Sequence, residues 1–335
     1  MSLVTNAKTV EELDIALLEV DSLLESVGCV YYGNNQIGVF KPATHDESFA
    51  LQRAAYIESE LMGDESEWTR LSRQIVPPLK DYSTHNLYPF EGKMHPQLAR
   101  ALINICAGPR SEALLLDPFC GSGTILLEAN LLGHLPYGSD IDPLAVFLSD
   151  AKTAPLAEFE DAISKIACAD PTCSFSNLIE SRKRVAPQFS GHASIIDDFT
   201  EKIEQGRGSY HAIVTSPPYF NAIDYASRFT TLRSALKLPK PAGGIGVGQS
   251  VEQYESCVER IGQNIAQLLL PGGRAAIVIA DHENVPSSEW YELAMKTAGL
   301  RRVAKLKHIY PAVRRGLSFE WILIMEKPVG ENTNH

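Results

Sequence analysis

The sequence predicts an α/β fold in which a mostly parallel sheet is covered by helices. From about residue 96, stretches of helical periodicity alternate with short β-branched or apolar runs. Glycine or proline punctuates the run boundaries. The last two apolar runs are joined by a connection too short for a crossover helix, so they must pair antiparallel.

Taken in order, "HPQLARALINIC" reads as an amphipathic helix, "EALLLDPF" as a strand, "GTILLEANLLG" as a helix, "LPYGSDID" as a strand and "DPLAVFLSDAK" as a helix. Residues 152 to 190 are polar and weakly periodic, and no element is assigned there. The strands "ASIIDDF" and "AIVTSPP" follow. Next comes the long helix "SVEQYESCVERIGQNIAQLLL", closed by "PGG", and then the buried strand "RAAIVIADH". "SSEWYELAMKTAG" is a helix with serine as its N-cap and glycine at its end. "RRVAKLKHIY" and "FEWILIMEKP" flank the turn-rich "PAVRRGLS". The expected sheet therefore has seven strands, with an antiparallel last strand.

Residues 1–90 differ in texture. A helix-like "TVEELDIALLEVDSLLESVG" and a hairpin pattern "CVYYGNNQIGVFKP" precede "ESFALQRAAYIESELMG", which together read as a small N-terminal α/β appendage to a main domain at 91–330. The glycine-rich "PAGGIGVGQS" at 241 to 250 reads as a mobile loop.

Composition narrows the function. The chain has 335 residues, 44% hydrophobic and 21% charged, ordinary for a globular protein with a substantial core. No apolar run has the length of a membrane span, and the start lacks the pattern of a signal peptide, so the cytoplasm is expected. Six cysteines without a CxxC pair indicate neither a disulfide framework nor a zinc ribbon, and no metal is expected. A net charge of −11 argues against a protein that coats nucleic acid by bulk attraction. It leaves room for a local basic edge. Arg301, Arg302, Lys305, Lys307, His308, Arg314 and Arg315 cluster late, as a solvated strand and loop or as a phosphate-contacting edge.

"LLLDPFCGSGTILLEA" places Asp117 at the end of a buried strand, with Gly121 and Gly123 in the turn that opens the next helix. Glycine there lets backbone approach a ligand, and the helix N-terminus supplies free donors. The run is shorter than a dinucleotide fingerprint and lacks the GK[ST] of a P-loop. In "YGSDID", Asp140 or Asp142 can accept both hydroxyls of a ribose, and Asp198 of "IIDDF" can meet an adenine amino group. Acid, glycine turn, helix, strand and acid in that order point to a bound adenosine.

"DPFCGSGT" resembles the S-adenosylmethionine motif of class I, Rossmann-like methyltransferases, and "TSPPY" resembles the catalytic motif of those that methylate an exocyclic amino group in nucleic acid. "STHNLYPFEGKMHPQLARALI" and "SPPYFNAIDYASRF" resemble further stretches of DNA modification methylases, so the likeness spans about 83 to 330. It implies S-adenosylmethionine as cofactor, held by Asp117, Pro118, Phe119, Cys120, Gly121, Ser122, Gly123 and Thr124. Asp140 with Ile141 would take ribose, Asp198 would lie by adenine, and Lys93, His95 and Pro96 would flank the methionine end.

The chemistry explains "SPPY". An exocyclic amine is a poor nucleophile because its lone pair is delocalised into the ring. Ser216 Oγ and the Pro217 carbonyl can each accept an amino hydrogen, Pro217 and Pro218 fix the backbone, and Tyr219 offers a stacking face. Asp224 and Tyr225 follow at loop distance and can shape the pocket or brace Tyr219, while Arg314 and Arg315 can reach a backbone phosphate. The expected activity is DNA cytosine-N4 methylation ahead of adenine-N6, the serine favouring cytosine by resemblance, as in restriction-modification. Alternatives are a guanine-N2 methyltransferase of tRNA or rRNA and a non-catalytic binding subunit. The expected partner is nucleic acid, DNA before RNA, with no membrane.

Overall fold

The structure, a computed structural model, describes residues 2–24, 29–33, 36–39, 53–60, 82–171, 173, 175, 178–179, 192–194, 199, 207–221, 224, 227–241, 248–282, 284–308 and 319–330. The N-terminal part contains β1 (Ser2–Thr5), α1 (Val10–Leu24), β2 (Cys29–Gly33), β3 (Gln36–Val39) and β4 (Ile57–Glu60). They form a four-stranded sheet of order β2-β3-β1-β4, in which the β2–β3 pair is antiparallel. β1 and β4 carry little sequence signal. Each is only four residues long and is held by pairing, β1 between β3 and β4 and β4 at the edge against β1.

The larger sheet takes its helices and strands in alternation. α2 (Pro96–Ala107) leads into β5 (Leu114–Asp117), α3 (Thr124–Leu131), β6 (Leu135–Ser139), α4 (Pro143–Thr153) and α5 (Leu156–Ala169). Then come β7 (His192–Ser194), β8 (Tyr210–Thr215), α6 (Thr230–Ala235), α7 (Val251–Leu268), β9 (Leu269–Ile279), α8 (Ser287–Thr297), β10 (Arg301–His308) and β11 (Glu320–Glu326). The order is β10-β11-β9-β8-β5-β6-β7, and β11 lies antiparallel between β9 and β10 while the remaining pairs are parallel. This is a Rossmann-like mixed sheet. Strand order reverses between β5 and β8, the place where such sheets bind ligands beyond their carboxyl ends.

Three expectations change. The stretch read as elementless contains α5, whose Phe159, Ala162, Ile163 and Ile166 bury at i, i+3, i+4 and i+7; intervening acids dilute that stripe in the sequence. "PGG" does not end a helix: α7 stops at Leu268, and β9 runs through Pro271 to Gly273 with Gly272 at φ +77 and a register shift opposite Tyr210 to Ala212. Ser287 and Ser288 lie inside α8 rather than capping it, and the Asp281 carboxylate accepts from Ser288 N at 2.8 Å. Residues 242–247 of the expected loop lie outside the described residues.

Two apolar layers sandwich the sheet. On one face, Ile15 and Leu23 of α1 and Leu102 of α2 pack with Leu115, Val214, Val278 and Ile324. On the other, Ile261 of α7 and Tyr291 of α8 pack with Ile213, Ile277 and Leu323. Each such buried side chain is worth roughly 1.5–3 kcal/mol. Polar contacts add register: Glu19, fully buried, accepts from Ala55 N at 2.7 Å, Tyr56 N at 3.0 Å and Asn104 Nδ2 at 2.7 Å. Burial pushes that carboxyl up, and the three donors oppose the shift. Arg274 Nη1 on β9 reaches Ser22 Oγ at 3.2 Å, so N-terminal part and large sheet share both core and hydrogen bonds.

Candidate functional site

β5 ends in Asp117, which is 2% exposed. Its Oδ1 accepts from Phe119 N at 3.2 Å, bending the chain out of the strand, and from Thr215 Oγ1 at 2.7 Å. Thr215 is the last residue of β8, immediately before Ser216, so one carboxylate clamps the start of the glycine turn to the start of "SPPY". Burial pushes the Asp117 carboxyl up to about 7, with the two donors opposing and Asp140 adding to the rise.

The turn itself is built from backbone. Cys120 N donates to Ser139 O at 2.9 Å, and Gly123 N donates to Cys120 O at 2.8 Å. Gly123 has φ +77, and a Cβ there would lie 2.4 Å from Ser149 Oγ and 2.9 Å from Ser149 Cα. Gly121 N donates to Asp140 Oδ2 at 2.9 Å. Beneath the turn, the buried Lys152 ammonium donates to Ser122 Oγ at 3.0 Å.

The two acids after β6 separate cleanly. Asp142 caps α4 by accepting from Leu144 N at 2.9 Å and forms a buried 2.5 Å ion pair with Arg233 of α6. Asp140 is half-buried and accepts from Gly121 N and Asp142 N, leaving lone pairs on both oxygens. Burial pushes it up to about 6. Ile141, half-buried, follows it. Of the two alternatives, Asp140 is the one with capacity to take ribose hydroxyls.

A second layer comes from the leader. Tyr82 and His85 both hydrogen-bond the buried Glu128 of α3, which also pairs with Arg100 at 2.8 Å. Lys93 Nζ donates to His85 O at 3.1 Å, exposed His95 caps α2 through Gln97 N, and buried Pro96 opens that helix. Phe90 Cε1 lies 3.6 Å from where a Gly121 Cβ would be. The Phe90 ring stacks on Phe229 at 5.1 Å, and Glu91 pairs with Arg228 at 3.3 Å. Leader and post-"SPPY" segment therefore meet over the glycine turn.

In the motif, Pro217 is buried while Ser216, Pro218 and Tyr219 are half-buried. Tyr219 Oη donates to Glu320 Oε1 of β11 at 2.8 Å and lies 3.2 Å from Ser216 Oγ. Tyr254 of α7 donates to Pro218 O at 3.3 Å. Asp224 is exposed and accepts from Ser227 N at 3.2 Å, and Glu320 braces the Tyr219 hydroxyl. Asp198, Tyr225, Arg314 and Arg315 lie outside the described residues; next to Asp198, Phe199 is buried with its ring 5.5 Å from Phe119.

Sequence reading missed Thr215, Glu320, Phe90, Phe229 and Arg233. A polar residue closing a buried strand marks Thr215, and a charge opening an apolar strand marks Glu320. The aromatic pair leaves no spacing signal, since 139 residues separate its members.

The donor set fits an adenosine-bearing cofactor: a glycine turn at a helix start, an acid with spare lone pairs, and a buried Thr124 hydroxyl without a hydrogen-bond partner among the described residues. Among the described residues no group of three His, Cys, Asp or Glu side chains can hold a metal ion, and no helix is long and apolar enough to cross a membrane.

Residues 86–238 match the family model described as "RMKL-like, methyltransferase domain", which takes in both the glycine turn and "SPPY". The chain is 42% identical over 74 residues to the Type II methyltransferase M.MvaI of Kocuria varians, covering 22% of this chain and 16% of that protein. It is 34% identical over 109 residues to a tRNA (guanine(10)-N2)-dimethyltransferase of Methanocaldococcus jannaschii, covering 32% of this chain and 28% of the relative. Thus it spans less than a third of the length of either relative. Among solved structures, TrmN from Thermus thermophilus is similar with a TM-score of 0.40 at 17% identity, over 88% of this chain and 57% of that one. The chain carries a methyltransferase domain, and its cofactor is S-adenosylmethionine.

Proposed function

We propose that the protein methylates an exocyclic amino group of a nucleic-acid base, cytosine N4 in DNA ahead of adenine N6. The observation that carries this reading is the Thr215–Asp117 hydrogen bond, which holds "SPPY" against the glycine turn at the switch point of the sheet. S-adenosylmethionine, when bound, supplies a methyl group on a sulfonium centre. Asp117 to Thr124 would hold it, with Asp140 and Ile141 at the ribose, Asp198 at adenine, and Lys93, His95 and Pro96 toward the methionine end.

On the substrate side, the single proton of the Tyr219 hydroxyl goes to Glu320, so the 3.2 Å contact is one in which Ser216 donates. That leaves Ser216 Oγ with lone pairs for an amino hydrogen, and the Pro217 carbonyl is the second acceptor. The Tyr219 ring stacks on the base, a contact worth ~1–3 kcal/mol. A base in duplex must be flipped out to reach it. Asp224 and Tyr225 border the pocket, and Arg314 and Arg315 meet phosphate.

A second reading, guanine N2 of tRNA, draws support from the stretch shared with the tRNA (guanine(10)-N2)-dimethyltransferase. The test is mass spectrometry of nucleosides after incubating the protein and S-adenosylmethionine with DNA and tRNA side by side. N4-methylcytosine in DNA is the expected product; N2-methylguanosine in tRNA alone would establish the second reading instead.

A further inference from the structure

We propose that Tyr219 and Glu320 form a proton relay with Ser216 that drains the proton released by the methylated amine. The inference rests on the amino-methylation reading above. Its own ground is a chain of three oxygens, Ser216 Oγ to Tyr219 Oη at 3.2 Å and Tyr219 Oη to Glu320 Oε1 at 2.8 Å, that crosses from the end of β8 to the mouth of β11.

Donor logic gives the chain a direction. Glu320 can only accept while ionised, so Tyr219 donates to it, and Ser216 in turn donates to Tyr219. Every hydroxyl proton therefore already points away from the place where the amine would stand. Glu320 is 9% exposed, and its second oxygen lies 3.6 Å from His308 Nδ1 on β10, so the terminus of the chain is held within the protein.

The balance of the step is simple. The amine lone pair forms the new N–C bond, the C–S bond breaks, and its electron pair remains on sulfur. The nitrogen then carries one proton too many. That proton passes to Ser216 Oγ, the former Ser216 proton to Tyr219 Oη, and the former Tyr219 proton to the Glu320 carboxylate. One N–H bond is lost, one O–H bond is gained on Glu320, and both hydroxyls are restored.

A relay predicts that Ser216 becomes a better acceptor as charge develops on nitrogen, which accelerates the chemical step without tightening ground-state binding. Tyr219→Phe keeps the stacking ring and deletes the middle link; Glu320→Gln keeps the shape and an acceptor for the Tyr219 hydroxyl but cannot take up the proton. Each variant should lose about 10²-fold in single-turnover methyl transfer, with KM for nucleic acid and affinity for S-adenosylmethionine within about twofold of wild type. The double variant should be no slower than either single one, because a chain broken once is broken. Glu320→Asp should recover part of the rate. Transfer in both single variants within twofold of wild type, or losses that multiply in the double variant, would overturn the relay. Wild-type transfer in the same assay tests the underlying reading separately: if wild type methylates no nucleic acid, that reading fails, whatever the variants do.

Discussion

Thr215 Oγ1 donates to Asp117 Oδ1 across two adjacent parallel strands, at 2.7 Å, and this contact joins the glycine turn after β5 to the "SPPY" segment after β8. Replacing Thr215 with Val preserves the β-branched shape and removes the donor. A buried carboxyl then loses one of its two named partners, at a cost of about 1–3 kcal/mol. The urea midpoint should fall accordingly, and calorimetry should show weaker binding of S-adenosylmethionine. Thr215→Ser, which retains the hydroxyl, should lie close to wild type in both measurements.

Asp117 makes the fold sensitive to pH in a definite direction. Its carboxyl is pushed from 3.8 to about 7 by burial, so between those values the folded chain binds a proton that the unfolded chain has released. Stability from this group is therefore full below 3.8, falls as pH rises through that window, and is flat above about 7. Asp117→Asn keeps an oxygen for Thr215 and Phe119 but cannot ionise. Urea midpoints measured at pH 5 and pH 8 should show the variant gaining on wild type at the higher pH, on the order of 1 kcal/mol or more.

The alternation of elements from residue 96 onward is legible because each run meets its own physical requirement: apolar strands bounded by Gly or Pro, and helices with one apolar stripe. The same reasoning fails at α5, where acids interrupt the stripe, and at "PGG", where Gly272 and Gly273 hydrogen-bond with Lys327 across to the end of β11. Partners that pair through space leave no local trace. Glu320 lies 101 residues from Tyr219, and Phe229 is brought to Phe90 only when the chain after "SPPY" folds back over the glycine turn. Asp140 and Asp142 are equivalent in the sequence; Arg233, 91 residues away, distinguishes them by engaging the second.

Gly123 is the position where substitution should be least tolerated. Its φ of +77 strains any L side chain, and an added Cβ would meet both Ser149 Oγ at 2.4 Å and Ser149 Cα at 2.9 Å. Gly123→Ala should cost on the order of 1–3 kcal/mol, read as a lower thermal midpoint. Adding Ser149→Ala should rescue little of the loss, because the backbone contact remains when the hydroxyl is gone.

Cofactor affinity should follow the ionisation of Asp140. The ionised carboxylate offers lone pairs on both oxygens while already holding the Gly121 and Asp142 N–H groups; protonation turns one oxygen into a donor and removes part of that capacity. Burial pushes this carboxyl up to about 6, so a ligand that prefers the ionised form must expel a proton below that pH. The dissociation constant for S-adenosylmethionine should therefore be constant well above pH 6 and rise by up to about tenfold for each unit below it. Asp140→Asn should bind weakly at every pH with a flat profile across this range. Asp117→Asn should keep the Asp140 limb, because Asp140 is shifted by its own burial, the Gly121 and Asp142 N–H groups and the Asp142 carboxylate; losing the limb in that variant instead would assign the titration to Asp117. Isothermal calorimetry at pH 5, 6, 7 and 8 in buffers of differing ionisation enthalpy measures both the affinity and the protons released, so the two carboxyls can be told apart in one series.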